Sequence, residues 1–374
     1  MAVPFIDLKR FEDGFLDRWT EIVGDITRNT QFVGGPRAAA LESSLAELTG
    51  VPHVVGCANG TDALQLALRA SGIGEGDVVL IPDATFWATF EAVVNVGARV
   101  VTVDIDPEDL QMDFDLFTQA VEKFQPKAVI LVHLYGWGSA RLADFRKFCT
   151  DRDIVLVEDG AQAIGAFYQG RPVYEGCEIA TTSFYPAKVL GACGDAGAVF
   201  CTGAKRAETV RQLGNHGRTS HYGHGLVGWN SRMGGFDAAF LHLTLDYFEA
   251  RVEGRRRLAA LYRERLKDLG CESKGIRVVA PPADYQENGY LNVLLVDPEL
   301  RPKLQAGLKE AGIGSATVYP GAMSKQPGAA PFLVGNLGGE QAERLSASVL
   351  NLPLFAHMRD DELDEVLAVL DSLI

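Results

Sequence analysis

Short apolar runs alternate with amphipathic stretches along the first half of the chain. Such runs predict buried strands, and we expect seven, at residues 53–57, 78–81, 99–103, 128–134, 154–158, 181–185 and 198–201. Between them, apolar residues recur at helical spacing, which predicts helices at 61–71, 87–97, 113–124 and 141–152. Strands that alternate with helices favour a mostly parallel sheet covered by helices on both faces.

The pattern changes in the second half of the chain. A long helix is predicted at 236–269, followed by a strand at 292–296 and helices at 300–311 and 360–373. We therefore predict an α/β fold with two domains, a large one at 1–245 and a smaller C-terminal α+β domain at 246–374. Three consecutive arginines, Arg255 to Arg257, are expected to form the solvent-facing side of the long helix.

Composition narrows the classes of function. The formal net charge is −14, and an acidic chain is a poor partner for nucleic acid, which is bound through clustered cations. No apolar run is long enough for a membrane helix, and residues 1–10 lack a signal-peptide core. The six cysteines form no CxxC pair or zinc spacing. We expect a cytoplasmic protein with free thiols, no metal, and no membrane or nucleic-acid partner.

Polar residues follow three of the predicted strands, where ligands of parallel sheets bind. Ala58-Asn59-Gly60-Thr61-Asp62 follows the first strand, and its glycine and helix N-terminus are typical of an anion site. The alternative is that Thr61 or Asp62 only caps the helix. Glu158-Asp159 ends a buried strand, where a carboxylate needs a cation or a capping role.

Lys188 lies between a strand and a glycine-rich turn. A lysine is usually a solvated surface residue, but desolvation at this point would produce the nucleophilic amine of a Schiff-base enzyme. A phosphate cradle, an acid and a lysine together match the needs of pyridoxal phosphate (PLP). Phe86 and Trp87 are placed to cover its ring.

A set of motifs in a fixed order extends this interpretation. The chain resembles the DegT/DnrJ/StrS-type sugar aminotransferases, which are fold-type I PLP enzymes with a mostly parallel seven-stranded sheet. The resemblance rests on FIDL (5–8), FVGGP (32–36), NGTDAL (59–64), GIGEGD (72–77), Thr85-Phe86, HLYG (133–136), EDGAQA (158–163), Lys188, Gly194-Asp195, NHG (215–217), GWNSR (228–232) and Leu352-Pro353.

The resemblance implies roles for individual residues. Lys188 forms the Schiff base, Asp159 keeps the pyridine nitrogen protonated, and Gln162 contacts the ring hydroxyl. Asn230 is expected to reach the phosphate from the other subunit of a homodimer. The full set of expected cofactor-binding residues is Gly60, Thr61, Asp62, Phe86, Asp159, Gln162, Ser183, Lys188 and Asn230.

The resemblance also implies a reaction. An amino group moves from an amino donor, L-glutamate, to a keto sugar, a nucleotide-linked (NDP or UDP) keto-hexose, by a ping-pong mechanism. The product would serve amino-sugar biosynthesis for lipopolysaccharide, another surface glycan or an antibiotic. The expected substrate-binding residues are Phe5, His133, Tyr185, Arg218, His221, Arg232 and Tyr319.

Three parts of the chain depart from the family pattern. Ala187 and Val189 flank the lysine, Gly234-Gly235 replaces an acidic stretch, and Val318 stands where the family has histidine. They leave a cyclitol or a keto-sugar phosphate open as the acceptor. A non-catalytic regulatory or binding protein of the same fold is the alternative from another class. The loop 216–232 is interpreted either as a cover over the substrate or as a solvated surface loop.

Overall fold

A computed structural model describes residues 2–374. Its α-helices are α1 (Phe15–Arg28), α2 (Gly35–Thr49), α3 (Gly60–Ala70), α4 (Trp87–Asn95), α5 (Phe114–Phe124), α6 (Leu142–Asp151), α7 (Ala204–Gly214), α8 (Gly235–Asp268), α9 (Arg301–Glu310), α10 (Glu340–Ser348) and α11 (Asp360–Leu373). Its strands are β1 (His53–Cys57), β2 (Val78–Pro82), β3 (Arg99–Val103), β4 (Ala128–Val132), β5 (Val155–Asp159), β6 (Phe167–Tyr168), β7 (Arg171–Pro172), β8 (Ile179–Ser183), β9 (Gly197–Cys201), β10 (Ile276–Val278), β11 (Tyr285–Gln286), β12 (Asn292–Val296), β13 (Leu333–Leu337) and β14 (Val349–Leu352).

The large sheet confirms the predicted α/β class but not the predicted number of strands. Within residues 2–374 it has eight strands in the order β1-β9-β8-β5-β4-β2-β3-β13. Neighbouring strands from β8 to β13 are parallel, and β9 is antiparallel to both β1 and β8. The seven predicted strands are all present. The eighth, β13, was missed because its sequence, LVGNL, contains glycine and asparagine and lies half-exposed at the sheet edge.

Local sequence explains why the central elements form. All five residues of β4 are buried, as expected for a parallel strand covered on both faces. In α3, Ala63, Leu64, Ala67 and Leu68 are buried at helical spacing, and they pack the helix against the sheet. Strands β2, β4, β5 and β8 run parallel, so their carboxyl ends meet at one edge of the sheet.

A second apolar cluster lies in the C-terminal third of the chain. It joins the second half of α8 to α9, α11 and the antiparallel sheet β10-β12-β14. The prediction of a solvent-facing arginine run is wrong for Arg255, which is 6% exposed. Its guanidinium instead donates to the carbonyls of Gly289 (3.4 Å) and Leu354 (3.2 Å). The division of the chain near residue 246 stays a prediction. No helix within residues 2–374 is both long and apolar enough to cross a membrane.

Candidate active site

A cavity of about 520 Å³ opens at the carboxyl ends of the parallel strands. This volume is in the range of small-molecule sites. The start of α3, the end of β5 and the loop after β8 all border it. Its lining includes Asn59, Gly60, Thr61, Thr85, Phe86, Thr89, Asp159, Gln162, Ser183, Tyr185, Lys188, Tyr290 and Tyr319.

The first turn of α3 forms one wall of the cavity. The helix is capped by Asn59, whose Oδ1 accepts from the Asp62 N–H at 2.8 Å, so the cap is neither Thr61 nor Asp62. A Cβ on Gly60 would lie 2.6 Å from the Cβ of Ser183. This position therefore requires glycine, and the close approach brings the helix N-terminus beside the Ser183 hydroxyl, an arrangement suited to an anion.

Asp159 lies at the inner end of the cavity and is 6% exposed. Its Oδ1 accepts from the Ala161 N–H at 3.0 Å, and Oδ2 accepts from the Thr89 hydroxyl at 3.5 Å. Burial raises the pKa of Asp159, and the Ala161 hydrogen bond and the Lys188 charge offset only part of that effect. The carboxylate is therefore a strong acceptor for a ligand that brings a proton or a positive charge.

Glu158, the preceding residue, points to a different environment. Its carboxylate accepts from Arg146 at 2.8 and 2.9 Å and lies 3.0 Å from His133 Nε2. Burial alone would raise the pKa of Glu158, but the Arg146 guanidinium and His133 lower it below its usual range. His133 is fully buried in this network and does not line the cavity, so it has no access to a substrate there.

Lys188 enters the cavity from the loop after β8. That loop turns tightly, since the Lys188 N–H donates to the Tyr185 carbonyl at 2.8 Å. A Cβ on Gly191 would lie 2.3 Å from the Pro186 carbonyl oxygen, so the turn requires glycine. The Nζ of Lys188 donates to the Tyr290 hydroxyl at 3.2 Å.

Gln162 and two aromatic rings form the remaining wall. The Gln162 Oε1 accepts from the Tyr135 N–H at 2.6 Å, and Nε2 donates to the Tyr319 hydroxyl at 3.0 Å. The rings of Phe86 and Tyr319 lie 5.4 Å apart at 40°. Phe86 keeps 55% of its surface exposed, so a flat ligand has an apolar face to contact. One N–H of the Gln162 amide remains for that ligand.

Other predicted residues lie outside the cavity of this chain. Asp62 follows Thr61 in α3 but does not line the cavity, and Phe5 packs beside the core near Gly314. Arg218, His221, Asn230 and Arg232 are exposed on the loop 216–232. Arg232 donates to Asn230 Oδ1 at 2.7 Å.

Asn59, Thr85, Thr89 and Tyr290 line the cavity but were not predicted from the sequence as site residues. Asn59 carried a usable signal, because asparagine before a helical stretch favours the N-cap position. Tyr290 carried none, since it lies 102 positions from Lys188 along the chain.

The residues of the cavity fit PLP. An anion cradle, a buried acid, an amine and an aromatic face are the groups that this cofactor requires, and all four border one cavity. Within residues 2–374, no cluster of three or more histidine, cysteine or acidic side chains is arranged to hold a metal ion.

Comparison with known proteins agrees with this chemistry. The family model of the DegT/DnrJ/EryC1/StrS aminotransferase family matches residues 17–371. The chain is 35% identical to a UDP-2-acetamido-2-deoxy-3-oxo-D-glucuronate aminotransferase of Pseudomonas aeruginosa, over 99% of this chain and 100% of that protein.

Solved structures have the same fold. The structure of DesV from S. venezuelae with a ketimine intermediate superposes with a TM-score of 0.93 at 32% identity, covering 100% of this chain and 98% of DesV. NtdA from Bacillus subtilis, solved with bound pyridoxamine phosphate (PMP), superposes with a TM-score of 0.91 at 27% identity, covering 100% of this chain and 85% of NtdA. Aminotransferases of this family depend on PLP. The match of sequence, fold and cavity shows that the chain belongs to the DegT/DnrJ/EryC1/StrS aminotransferase family.

Proposed function

We propose that this chain uses PLP to move an amino group from L-glutamate to the keto group of a nucleotide-linked keto-hexose. The observation that carries the proposal is the meeting of the Lys188 amine, the Asp159 carboxylate and the Gly60–Ser183 cradle in one cavity. A regulatory or purely binding role would not require these three groups to converge.

The cavity residues would hold the cofactor at four points. The N–H groups of Gly60 and Thr61 and the Ser183 hydroxyl bind its phosphate, and the helix dipole of α3 favours the negative charge. Asp159 accepts the hydrogen bond of the pyridine N–H, and the Phe86 ring covers one face. The second N–H of Gln162 is available to the ring hydroxyl, since Tyr319 takes the first.

The residues of this chain then divide the chemistry. When bound, PLP supplies an electron sink for the carbanion that forms at the donor α-carbon. The negative charge of the Asp159 carboxylate would keep the ring nitrogen protonated, and burial of the carboxylate strengthens the attraction between the two charges. In the first half-reaction the Nζ of Lys188 would take a proton from the donor α-carbon and pass it to the cofactor. In the second half-reaction it would work in reverse, taking a proton back from the cofactor and delivering it to the acceptor carbon. One lysine serving both half-reactions predicts ping-pong kinetics.

The acceptor is proposed from the relative and from the cavity mouth. The Pseudomonas relative acts on a UDP-linked 3-oxo sugar, as its name states. Tyr185 and Tyr319 line the cavity here and offer hydroxyl and ring surfaces to a hexose. We place the reaction in amino-sugar biosynthesis for a surface glycan or an antibiotic.

We propose that the active unit is a homodimer with shared sites. Tyr222 and Val227 of the loop 216–232 are 88% and 85% exposed, and Val33 beside α2 is 57% exposed. We propose that these side chains are covered by the partner subunit, and that Arg218 and Asn230 on the same loop complete the neighbouring site. All six cysteines are unpaired, which supports a reducing, cytoplasmic location. Light scattering on the purified protein tests the dimer.

The reaction is tested with PLP, glutamate and a matched variant. The protein is loaded with PLP, reduced with borohydride and digested, and we expect the cofactor mass on the Lys188 peptide. L-Glutamate should release 2-oxoglutarate, and a UDP-linked 3-keto-hexose should then be aminated. Lys188→Arg keeps the positive charge but should abolish both the cofactor mass on this peptide and the release of 2-oxoglutarate. If the wild-type protein bound no PLP and produced no 2-oxoglutarate, the proposal would be wrong.

A further inference from the structure

Tyr290 lines the cavity but has no part in the function proposed above. It lies two positions before β12 and 102 positions from Lys188 along the chain. Its hydroxyl oxygen accepts the hydrogen bond of Lys188 Nζ at 3.2 Å. Within residues 2–374, it is the only hydrogen bond that Lys188 Nζ makes.

The backbone before Tyr290 is fixed by a buried side chain. Asn288 is fully buried, and its Nδ2 donates to the carbonyls of Gln162 and Ile164, both at 2.8 Å. Its Oδ1 accepts from the Tyr290 N–H at 3.0 Å. One side chain thus ties Tyr290 to the loop that carries Gln162, and this loop directly follows Asp159.

The neighbouring residues restrict the same segment. Gly289 has φ +66°, and a Cβ there would lie 2.7 Å from backbone and side-chain atoms of Arg255 in α8. Only glycine fits this conformation and this approach. Glu287 is buried and pairs with Arg263 at 2.5 Å. The segment from Glu287 to Tyr290 therefore has little freedom to shift, and the tyrosine hydroxyl is held at a defined point.

We propose that Tyr290 is a positioning residue for Lys188, whose ammonium group its hydroxyl retains inside the cavity, and that Asn288 sets the position of the tyrosine. A free lysine side chain has a flexible four-carbon stem with many rotamers, so an unanchored amine leaves its reacting position easily. The importance of this contact for catalysis rests on the proposed function, in which Lys188 must act in both half-reactions. The contact itself does not.

Tyr290→Phe tests the proposal, because it removes the hydroxyl and keeps the ring. The full-length protein, freed of cofactor, is treated briefly with acetic anhydride at neutral pH, and acetylation of Lys188 is followed by peptide mass spectrometry. The amine must leave its hydrogen bond with the Tyr290 hydroxyl before it can reach the reagent, so this bond slows acetylation. We expect the variant to be labelled about fivefold faster, with an unchanged thermal midpoint.

Tyr185→Phe is the matched control. Tyr185 also lines the cavity, but its hydroxyl makes no hydrogen bond to Lys188. Its labelling rate should equal that of the wild type. An unchanged rate in Tyr290→Phe, or an equal acceleration in Tyr185→Phe, would overturn the proposal.

Steady-state kinetics provide a second readout. Tyr290→Phe should lower kcat about fivefold and leave the KM for glutamate unchanged, since the hydroxyl positions Lys188 and does not bind the donor. A raised KM with an unchanged kcat would contradict a positioning role. If the wild-type protein captures no PLP on Lys188, the proposed function fails, and the labelling rates still decide the role of Tyr290.

Discussion

Gly60 gives the sharpest test of how the fold makes the cofactor site. In Gly60→Ala, the new Cβ would lie 2.6 Å from the Ser183 Cβ and 3.1 Å from its hydroxyl oxygen, whereas ordinary contacts begin near 3.4 Å. The first turn of α3 and Ser183 must therefore move apart. These are the two groups that we propose to hold the phosphate, so the substitution should act on binding as well as on stability.

The expected magnitude follows from the contacts that are lost. Separating the two groups removes about one hydrogen bond to a charged phosphate, worth about 2 kcal/mol. At about 1.4 kcal/mol per tenfold change, PLP should bind about thirtyfold more weakly. The measurement is a spectrophotometric titration of the cofactor-free protein with PLP, with a thermal melt to show that each variant is folded.

Two further variants make this reasoning refutable. Gly203→Ala is the matched control, because Gly203 also lies at a helix N-terminus but a Cβ there meets no atom within 4 Å; its PLP affinity should not change. Combining Gly60→Ala with Ser183→Gly removes the two side-chain contacts and leaves the Cα of residue 183 at 3.2 Å as the nearest atom. Adding Gly60→Ala to Ser183→Gly should therefore weaken PLP binding much less than adding it to the wild type. Wild-type affinity in Gly60→Ala, or strictly additive losses in the double variant, would refute the argument.

Two other substitutions address the carboxylates at the end of β5. Arg146→Met leaves Glu158 buried without its main cation. The lowered pKa of Glu158 in the wild type means that its stabilisation is present above the usual glutamate pKa and is lost as pH falls. In the variant, burial raises the pKa of Glu158 instead. Urea unfolding should then give a free energy of unfolding about 3 kcal/mol below that of the wild type at pH 7, with a smaller difference near pH 4. A difference that did not change with pH would indicate an effect of packing alone. Asp159→Asn should retain PLP by absorbance but reduce kcat/KM for glutamate by about 100-fold or more, and wild-type turnover would contradict the role of the carboxylate.

The sequence predicted most of the large sheet. Each strand from β1 to β9 that joins this sheet was placed within a few residues, because apolar runs between glycine-rich turns are a local signal. It missed β13, whose half-exposed residues carry no such pattern. It also misplaced Arg255, since a charged residue on a helix indicates solvent unless the tertiary structure supplies buried carbonyls for it.

The candidate site divides in the same way. Lys188, Asp159 and the Gly60 turn were recognisable, because residue type and position after a strand are local properties of the chain. The sequence could not show that His133 is enclosed with Glu158 and Arg146, away from the cavity. Two neighbouring carboxylates, Glu158 and Asp159, look equivalent in the sequence, but successive residues of a strand point to opposite faces.

The sequence by itself thus determined the central strands and the helices between them, the glycine turns and the kinds of reactive group at the strand ends. Periodicity and backbone constraints act over a few residues, so one chain segment is enough to specify them. Only the tertiary structure decided which distant groups meet. The Tyr290 hydroxyl reaches Lys188 because Asn288 joins the two halves of the chain, and such a contact depends on packing between segments that no local pattern describes.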